Sequence, residues 1–526
     1  MNRNKSLSIF IFFFALFLLT HHGFDKSEGG GQYWLAENIL RNGSLSYPLS
    51  EATFQPSYSS AIPDLNSGRE ISIKERTGTI AFNSNPAILT PNGRVYLAHE
   101  IGQTLVMLPV AWWNWGIEIL MQRRGFNPWT IYRTKIFFYS LMGALYGALA
   151  AFLFYRVLRT GFGQSHLGSF SATLLLCLTT YCWSYTRYLF EGVLQGVFFL
   201  FSYSMLLRFR EKRKGRFLFW VFLGLGFSLI TRVTSILAIS VFLFYLMRLS
   251  YPSKTERLKV LLSAVIILVP FGVWQAWYNW IRTGFFYLSP LMTEGISEGK
   301  GRFLGGLPGL LFSPGMSLFV FAPLLLFSVY FFPRFYRRFK WDGECVFLLA
   351  ILWFGLHSSI KLWHGAASWG PRYFIAILPF LFLPVAVSLR EIMKRTVLRL
   401  SAMSLGAWGF LLNLSSIISD WHFRVACANA RGKLDQSWLW DFWKAQPADM
   451  FRGAYENVVR LMTHAPPRIL ENYSQADLWP VNTINIWPFA VVYAGVPVWM
   501  TVIAVVFLMG VLFIALRKIL TPPPRR

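Results

Sequence analysis

The sequence predicts an all-α polytopic membrane protein with about twelve transmembrane helices. Three observations predict it. Of the 526 residues 55% are apolar and 18% aromatic against 14% charged, apolar runs of span length recur along almost the whole chain, and basic residues gather in the short loops between them. Too little polar surface remains to coat a water-soluble body, so the bilayer is the main solvent and residues 1–526 read as one integral domain.

The expected spans are 6–21, 135–155, 168–187, 189–207, 217–231, 233–249, 260–278, 309–331, 345–360, 372–389, 400–419 and 488–516. Arg3 and Lys5 precede the first, which reads as an uncleaved helix because Thr20-His21-His22-Gly23 offers no small-x-small cleavage site. The formal net charge of +26 would suit nucleic acid if the cations shared one soluble face. Instead Arg208, Arg210, Lys212, Arg213, Lys214 and Arg216 form one loop cluster, and Arg334, Arg337, Arg338 and Lys340 another, as cytoplasmic turns do. Membrane lipid is the expected partner, and nucleic acid is not.

Parity then fixes the topology. With 208–216 inside, forward alternation places 248–259, 334–340, 390–399 and 517–526 on the same side. Backward alternation agrees with an inside amino terminus only if the further apolar stretch 101–121 does not cross. Its Pro109, Asn114 and Glu118, with Trp112, Trp113 and Trp115, suit a helix lying in the interface. Both termini are then cytoplasmic, and the segments 22–134, 279–308 and the Trp-rich 421–487 face outward as the working surface. Cys177, Cys182, Cys345 and Cys427 have neither metal-ligand nor paired spacing, and no internal repeat of the transporter kind is present.

In the first outer loop Asp25 and Glu28 stand before Gly29-Gly30-Gly31. Tyr33, Ala36, Ile39 and Leu40 then follow helical spacing up to Gly43, as in a short amphipathic helix on the interface. A carboxylate beside such a shelf can take the proton of an attacking hydroxyl if it lies within hydrogen-bond reach. The plainer alternative is an acid solvated at a helix end.

This stretch resembles the GT-C glycosyltransferases, membrane enzymes that use polyprenyl-phosphate sugars, and in particular bacterial members related to family 39. Those show an Asp or Asp-Glu pair after the first helix, then a Tyr and a Leu-Ala-x-x-Leu-like helix ending in Gly. Here Ser27-Glu28 stands in place of the pair, with Glu28 five residues before Tyr33 and Asp25 three residues earlier. The resemblance continues in Arg94-Val95-Tyr96-Leu97-Ala98-His99-Glu100-Ile101-Gly102-Gln103 and Pro109, in Trp183-Ser184-Tyr185-Thr186-Arg187-Tyr188-Leu189-Phe190-Glu191, in Gly224 to Arg232 and in Leu310-Leu311-Phe312-Ser313-Pro314-Gly315-Met316-Ser317-Leu318-Phe319-Val320-Phe321-Ala322-Pro323. Its most specific stretch is Lys361-Leu362-Trp363-His364-Gly365-Ala366-Ala367-Ser368-Trp369-Gly370-Pro371-Arg372-Tyr373.

The resemblance implies a GT-C-like fold with jaw-like interfacial helices in the first outer loop. It also implies inverting transfer of a hexosyl or pentosyl group from a polyprenyl-phosphate donor, on the periplasmic face of a bacterial inner membrane, to a glycan, lipid or protein acceptor. Glu28 or Asp25 is then the base that deprotonates or orients the acceptor, and Arg372 with Lys361 docks the phosphate, since a guanidinium fork matches phosphate oxygens. His364, Tyr373, Arg187, Glu191, Arg94, His99 and Tyr33 are the further substrate contacts. No cofactor is indicated; a divalent metal is left open, although no ligand cluster stands out. Three other readings remain: a lipid or polysaccharide transporter or flippase, disfavoured by the few mid-span charges; a noncatalytic scaffold of the same fold; and, locally, an Arg187–Glu191 ion pair with no chemical role.

Overall fold

The computed structural model describes residues 3–23, 29–48, 78–82, 85–90, 92–251, 253–287, 289–290, 303–365, 368–421, 436–463, 484–493 and 496–521. Helix α1 (Arg3–Leu19) leads to α2 (Gly29–Asn42). A small sheet follows, of β1 (Tyr47–Pro48), β2 (Gly78–Phe82), β3 (Asn85–Leu89) and β4 (Arg94–Leu97). It is antiparallel in the order β1-β4-β3-β2, with Tyr47 opposite Val95 and Ile88 opposite Tyr96. This small sheet lies within the first loop of an otherwise helical chain.

Then come α3 (Ile101–Arg123), α4 (Pro128–Gly161), α5 (His166–Leu178), the short α6 (Cys182–Tyr185), α7 (Glu191–Lys212), α8 (Gly215–Thr231), α9 (Ser235–Leu249) and α10 (Lys254–Thr283). Local chemistry sets these ends. Asn127 accepts from Thr130 N at 2.8 Å with Pro128 at the first position of α4, and Ser165 and Ser253 cap α5 and α10 in the same way. Gly284, at φ 76°, closes α10.

Two expected spans are broken. The 309–331 stretch divides into α11 (Leu307–Phe312), α12 (Leu318–Phe321) and α13 (Leu325–Arg338), because Pro314-Gly315 interrupts the ladder. The freed groups face protein: Gly315 N and Ser313 Oγ donate to Leu439 O, at 3.1 and 2.5 Å, from α18 (Gln436–Trp440). After α14 (Lys340–Ser359), the 372–389 stretch divides into a 3-10 turn at Arg372–Phe374, α15 (Leu378–Leu381) and α16 (Leu383–Lys394), with Pro379 and Pro384 near the two helix starts. Helices α17 (Thr396–Ile418), α19 (Gln446–Met462), α20 (Trp487–Tyr493) and α21 (Val498–Leu520) complete the described chain.

The chain is a multi-pass helical membrane protein. Among the described residues α3, α4, α7, α10, α17 and α21 have the length and hydropathy to cross a membrane, and α1, α5, α8 and α9 are shorter apolar helices. The most buried of the six is α7, packed against α8, α4 and α9, while α1 packs on α4 and α21. One end of the bundle is locked by buried Asp342, which accepts from Tyr203 at 2.6 Å, Tyr245 at 3.0 Å and Arg210 at 2.8 Å. Beyond the other end, α2 and α3 lie along each other and against the amino end of α4. Near its own start α3 meets the carboxyl end of α8, where a Cβ on Gly102 would come within 2.6 Å of Thr231 N.

Candidate active site

The turn between α6 and α7 delivers Arg187, Tyr188, Leu189 and Glu191 in quick succession. Buried Glu191 is the first residue of α7; its Oε1 accepts from Gln32 Nε2 of α2 and lies 3.3 Å from His99 Nδ1. Arg187 does not pair with it. The Arg187 guanidinium, wholly buried, donates through Nη1 to Ser416 O at 3.0 Å and through Nη2 to Asn485 O. The two charges diverge because Arg187 precedes the helix that Glu191 begins, so they share no helical face, and the expected alternative of a simple ion pair is set aside.

The same turn receives both ends of the acidic segment. A Cβ on Gly29 would stand 2.0 Å from Leu189 Cβ, so only glycine lets α2 start this close. On the other side Gly23, at φ 92°, donates to His21 Nδ1 at 2.8 Å and accepts from Ser140 Oγ at 3.1 Å, while the His22 ring lies 4.6 Å from Tyr188. Burial, and then the charge of Arg187, push His21 down to about 3, which keeps it neutral. Asp25 and Glu28 themselves lie outside the described residues.

One residue into α7 the surroundings become cationic. A Cβ on Gly192 would meet Ile375 at 2.5 Å and Arg232 Nη1 at 3.7 Å. The Arg232 and Arg372 guanidinium carbons lie 5.7 and 5.4 Å from the centre of the Tyr373 ring, and His357 stacks on that ring at 4.6 Å. Burial, and then Arg372, push His364 down to about 4. Lys361 is exposed at the start of the same turn. The turn is built rather than loose: Gly365 and Gly370 take φ of 76° and 60°, Tyr185 Oη donates to Trp369 O at 3.0 Å, and Gln446 bonds both Ser368 O and Gly370 N.

Two expected contacts are placed elsewhere. Tyr33 donates to Glu37 at 2.8 Å, accepts from Asn114 at 2.8 Å and stacks on Tyr139. Burial, with Glu37 next, raises its phenol. It belongs to a brace in which Lys135 joins Glu37 and Glu118 at 2.8 and 2.9 Å and Glu118 also takes Arg41. Arg94 fastens the sheet through Ser46 Oγ at 3.0 Å. The structure therefore gathers Glu191 and His99 on one side of the α7 start and Arg372, His364 and Tyr373 on the other, with Tyr33 and Arg94 apart.

Sequence reasoning gave no role to Gln32, Gln103 or Glu100, although they fall inside resembling stretches, and did not name Lys135 or Arg282. Arg282 is wholly buried and donates to the carbonyls of Leu97, Ala98 and His99 at 3.2, 2.9 and 2.9 Å and to Glu100 at 3.0 Å, which fixes the strand-to-helix corner carrying His99. A charge at the end of an apolar helix was the signal that it has a partner. No set of three His, Cys, Asp or Glu side chains among the described residues is placed to hold a metal.

No family model matches the chain, and no curated protein is similar to it in sequence. Among solved structures, the chain is similar to ArnT from Cupriavidus metallidurans, crystallised bound to undecaprenyl phosphate. The two share 12% identity, with 92% of this chain and 83% of that one covered and a TM-score of 0.44.

Proposed function

We propose that the protein transfers a sugar from a polyprenyl-phosphate donor to an acceptor hydroxyl at the outer face of the membrane, around the start of α7. The observation that carries this reading is the polarity of that helix start. Glu191 and the two glycines that flank the acidic segment lie on one side, and Arg232, Arg372 and His364 lie about the turn on the other. Acid–base groups beside a phosphate-sized cationic turn are what displacement of a phosphate from a sugar carbon requires. The sequence resemblance in 361–373 supports the same assignment.

In this mechanism Arg372, with Lys361, holds the lipid phosphate. The acceptor oxygen attacks the anomeric carbon from the opposite face, the carbon–oxygen bond to phosphate breaks, and its electron pair leaves on the phosphate against the cations. Glu28 or Asp25 takes the acceptor proton, so configuration inverts. Helices α2 and α3 lie along the outer surface, both termini are cytoplasmic, and the bacterial inner membrane is the site of action.

The test is transfer in purified membranes given a panel of radiolabelled polyprenyl-phosphate sugars, with wild type beside Glu28→Gln, Asp25→Asn and Arg372→Ala at matched expression. Loss of transfer in one acid variant and in Arg372→Ala supports the mechanism. Wild type inactive with every donor, or both acid variants fully active, overturns it in favour of a transporter or scaffold.

A further inference from the structure

Gln32, Gln103 and Glu191 are all at least nine-tenths buried, and the two glutamines each keep a buried carboxamide oxygen without a donor. The amide of Gln32 is oriented by its bond to Glu191 Oε1, which turns its own Oε1 toward no donor. Gln103 spends its Nε2 on Leu189 O at 3.4 Å, and its Oε1 is likewise without a donor. Glu191 receives Gln32 and approaches His99 with Oε1 alone, so that Oε2 has no hydrogen-bond or ion-pair partner among the described residues. All three belong to one neighbourhood. Gln32 is one turn after Gly29, and a Cβ on Gly29 would lie 3.0 Å from Gln103 Nε2 and 2.0 Å from Leu189 Cβ, two residues before Glu191.

A buried acceptor without a donor is costly, so the two carboxamide oxygens beside a carboxylate call for a ligand that donates. An anion is excluded by the carboxylate, and an apolar ligand would leave every acceptor unmet. A ring bearing several hydroxyls meets the need, because each O–H donates into a fixed acceptor.

We infer that Gln32, Gln103 and Glu191 form the hydroxyl-reading wall of a sugar subsite, one that recognises hydroxyl groups as hydrogen-bond donors. The inference rests on the glycosyl-transfer reading for its setting and sharpens it to a polarity: the sugar is read by what it donates. A hydroxyl replaced by fluorine keeps an acceptor and loses the donor. At each position this wall reads, the deoxy and deoxyfluoro sugars therefore bind equally poorly.

The experiment measures binding of a panel of methyl glycosides, with their deoxy and deoxyfluoro forms, to the full-length protein in detergent by thermal shift and by competition against a spin-labelled glycoside. The expected result is at least one hydroxyl position where both replacements weaken binding about tenfold or more. Gln103→Leu and Gln32→Leu should abolish that discrimination while Gln195→Leu, on the next turn of α7, keeps it. Three results overturn the inference: no glycoside bound, fluorine tolerated at every position where hydrogen is not, or discrimination unchanged in both glutamine variants. The wild-type arm needs no variant to fold. Glycoside discrimination without transfer from any lipid donor would sink the transferase reading and leave the subsite standing; transfer without discrimination would do the reverse.

Discussion

Arg282 Nη2 lies 3.0 Å from Glu100 Oε2, with the first side chain wholly buried and the second nearly so. The pair ties the end of α10 to the corner that carries His99, 182 residues away in sequence. Removing one partner strands a charge out of water, which costs about 3–5 kcal/mol. Arg282→Ala and Glu100→Ala are thus each expected to lower the melting temperature of the detergent-purified protein sharply, or to abolish folded yield. Glu100→Gln, whose carboxamide oxygen can still accept from Gln275 and Arg282 and whose NH2 can donate to Ser289 Oγ, should be milder. Equal stability of wild type and Arg282→Ala would show that neither the charge pair nor the Arg282 bonds to the three carbonyls hold this corner.

The brace on α2 leads to a second expectation. Lys135 is buried between Glu37 and Glu118, and Glu118 keeps Arg41 when the lysine is gone. Lys135→Met therefore leaves Glu37 with only the Tyr33 hydroxyl and Arg41 at 3.9 Å and destabilises by about 3 kcal/mol, and adding Glu37→Gln recovers most of that loss because both buried charges are then removed. Chemical denaturation of the two variants and the double variant supplies the cycle. Additive losses would mean that the pair is uncoupled and the brace is held by packing.

How far the sequence reached is clear from these residues. Apolar run length and basic loops marked the long apolar helices, because a bilayer imposes both directly, but not the short ones such as Cys182–Tyr185 and Gln436–Trp440. Periodicity found α2, and the Trp-rich, polar-spotted character of 101–121 marked α3 as unlike its neighbours. The breaks at Pro314 and Pro371 were visible as residues, but not the partners that receive the freed backbone groups, since Leu439 and Gln446 lie far along the chain. The site was legible as motifs and not as geometry. His99 and Glu191 were expected at the substrate, yet that they meet is a tertiary fact, as is the departure of Arg187 toward Ser416. Gln32 and Gln103 fell inside resembling stretches but were given no role, because a glutamine in an interfacial helix is ordinary until its carboxamide is found buried.

His364 gives the third prediction, in pH. Its folded value is pushed down from 6.5 to about 4, by burial first and Arg372 second. Between those values the unfolded chain binds a proton that the folded chain refuses, so stability falls as pH drops below 6.5 and levels off below about 4. His364→Gln removes this dependence, and its stability relative to wild type should rise steadily from pH 7 to pH 4. In Arg372→Ala the imidazole titrates at higher pH than in wild type, readable by NMR of labelled histidine. A wild-type to His364→Gln difference that is flat across the window would show that the ring titrates alike folded and unfolded.

Gly29 supplies the last. A methyl there would stand 2.0 Å from Leu189 Cβ and 2.7 Å from Leu189 O, roughly 1.5 Å inside ordinary carbon contact for the first of these. Neither atom can swing away, so Gly29→Ala must displace the start of α2, and with it Gln32 one turn later. The fold has no reason to loosen, because the brace later in α2, Glu37 and Arg41 with Lys135 and Glu118, is left in place. The expected result is a melting temperature close to wild type with transfer and glycoside binding reduced on the order of 100-fold, the scale set by an ångström of misplacement at a reacting centre. Gly272→Ala is the matched control: a Cβ there meets nothing, and the change should leave activity alone and add up to about 1 kcal/mol of helix stability. If Gly29→Ala keeps full activity, the close approach of α2 to Leu189 is incidental to the site. If it instead unfolds the protein, the shelf is part of the bundle's own stability and not a separately positioned working surface.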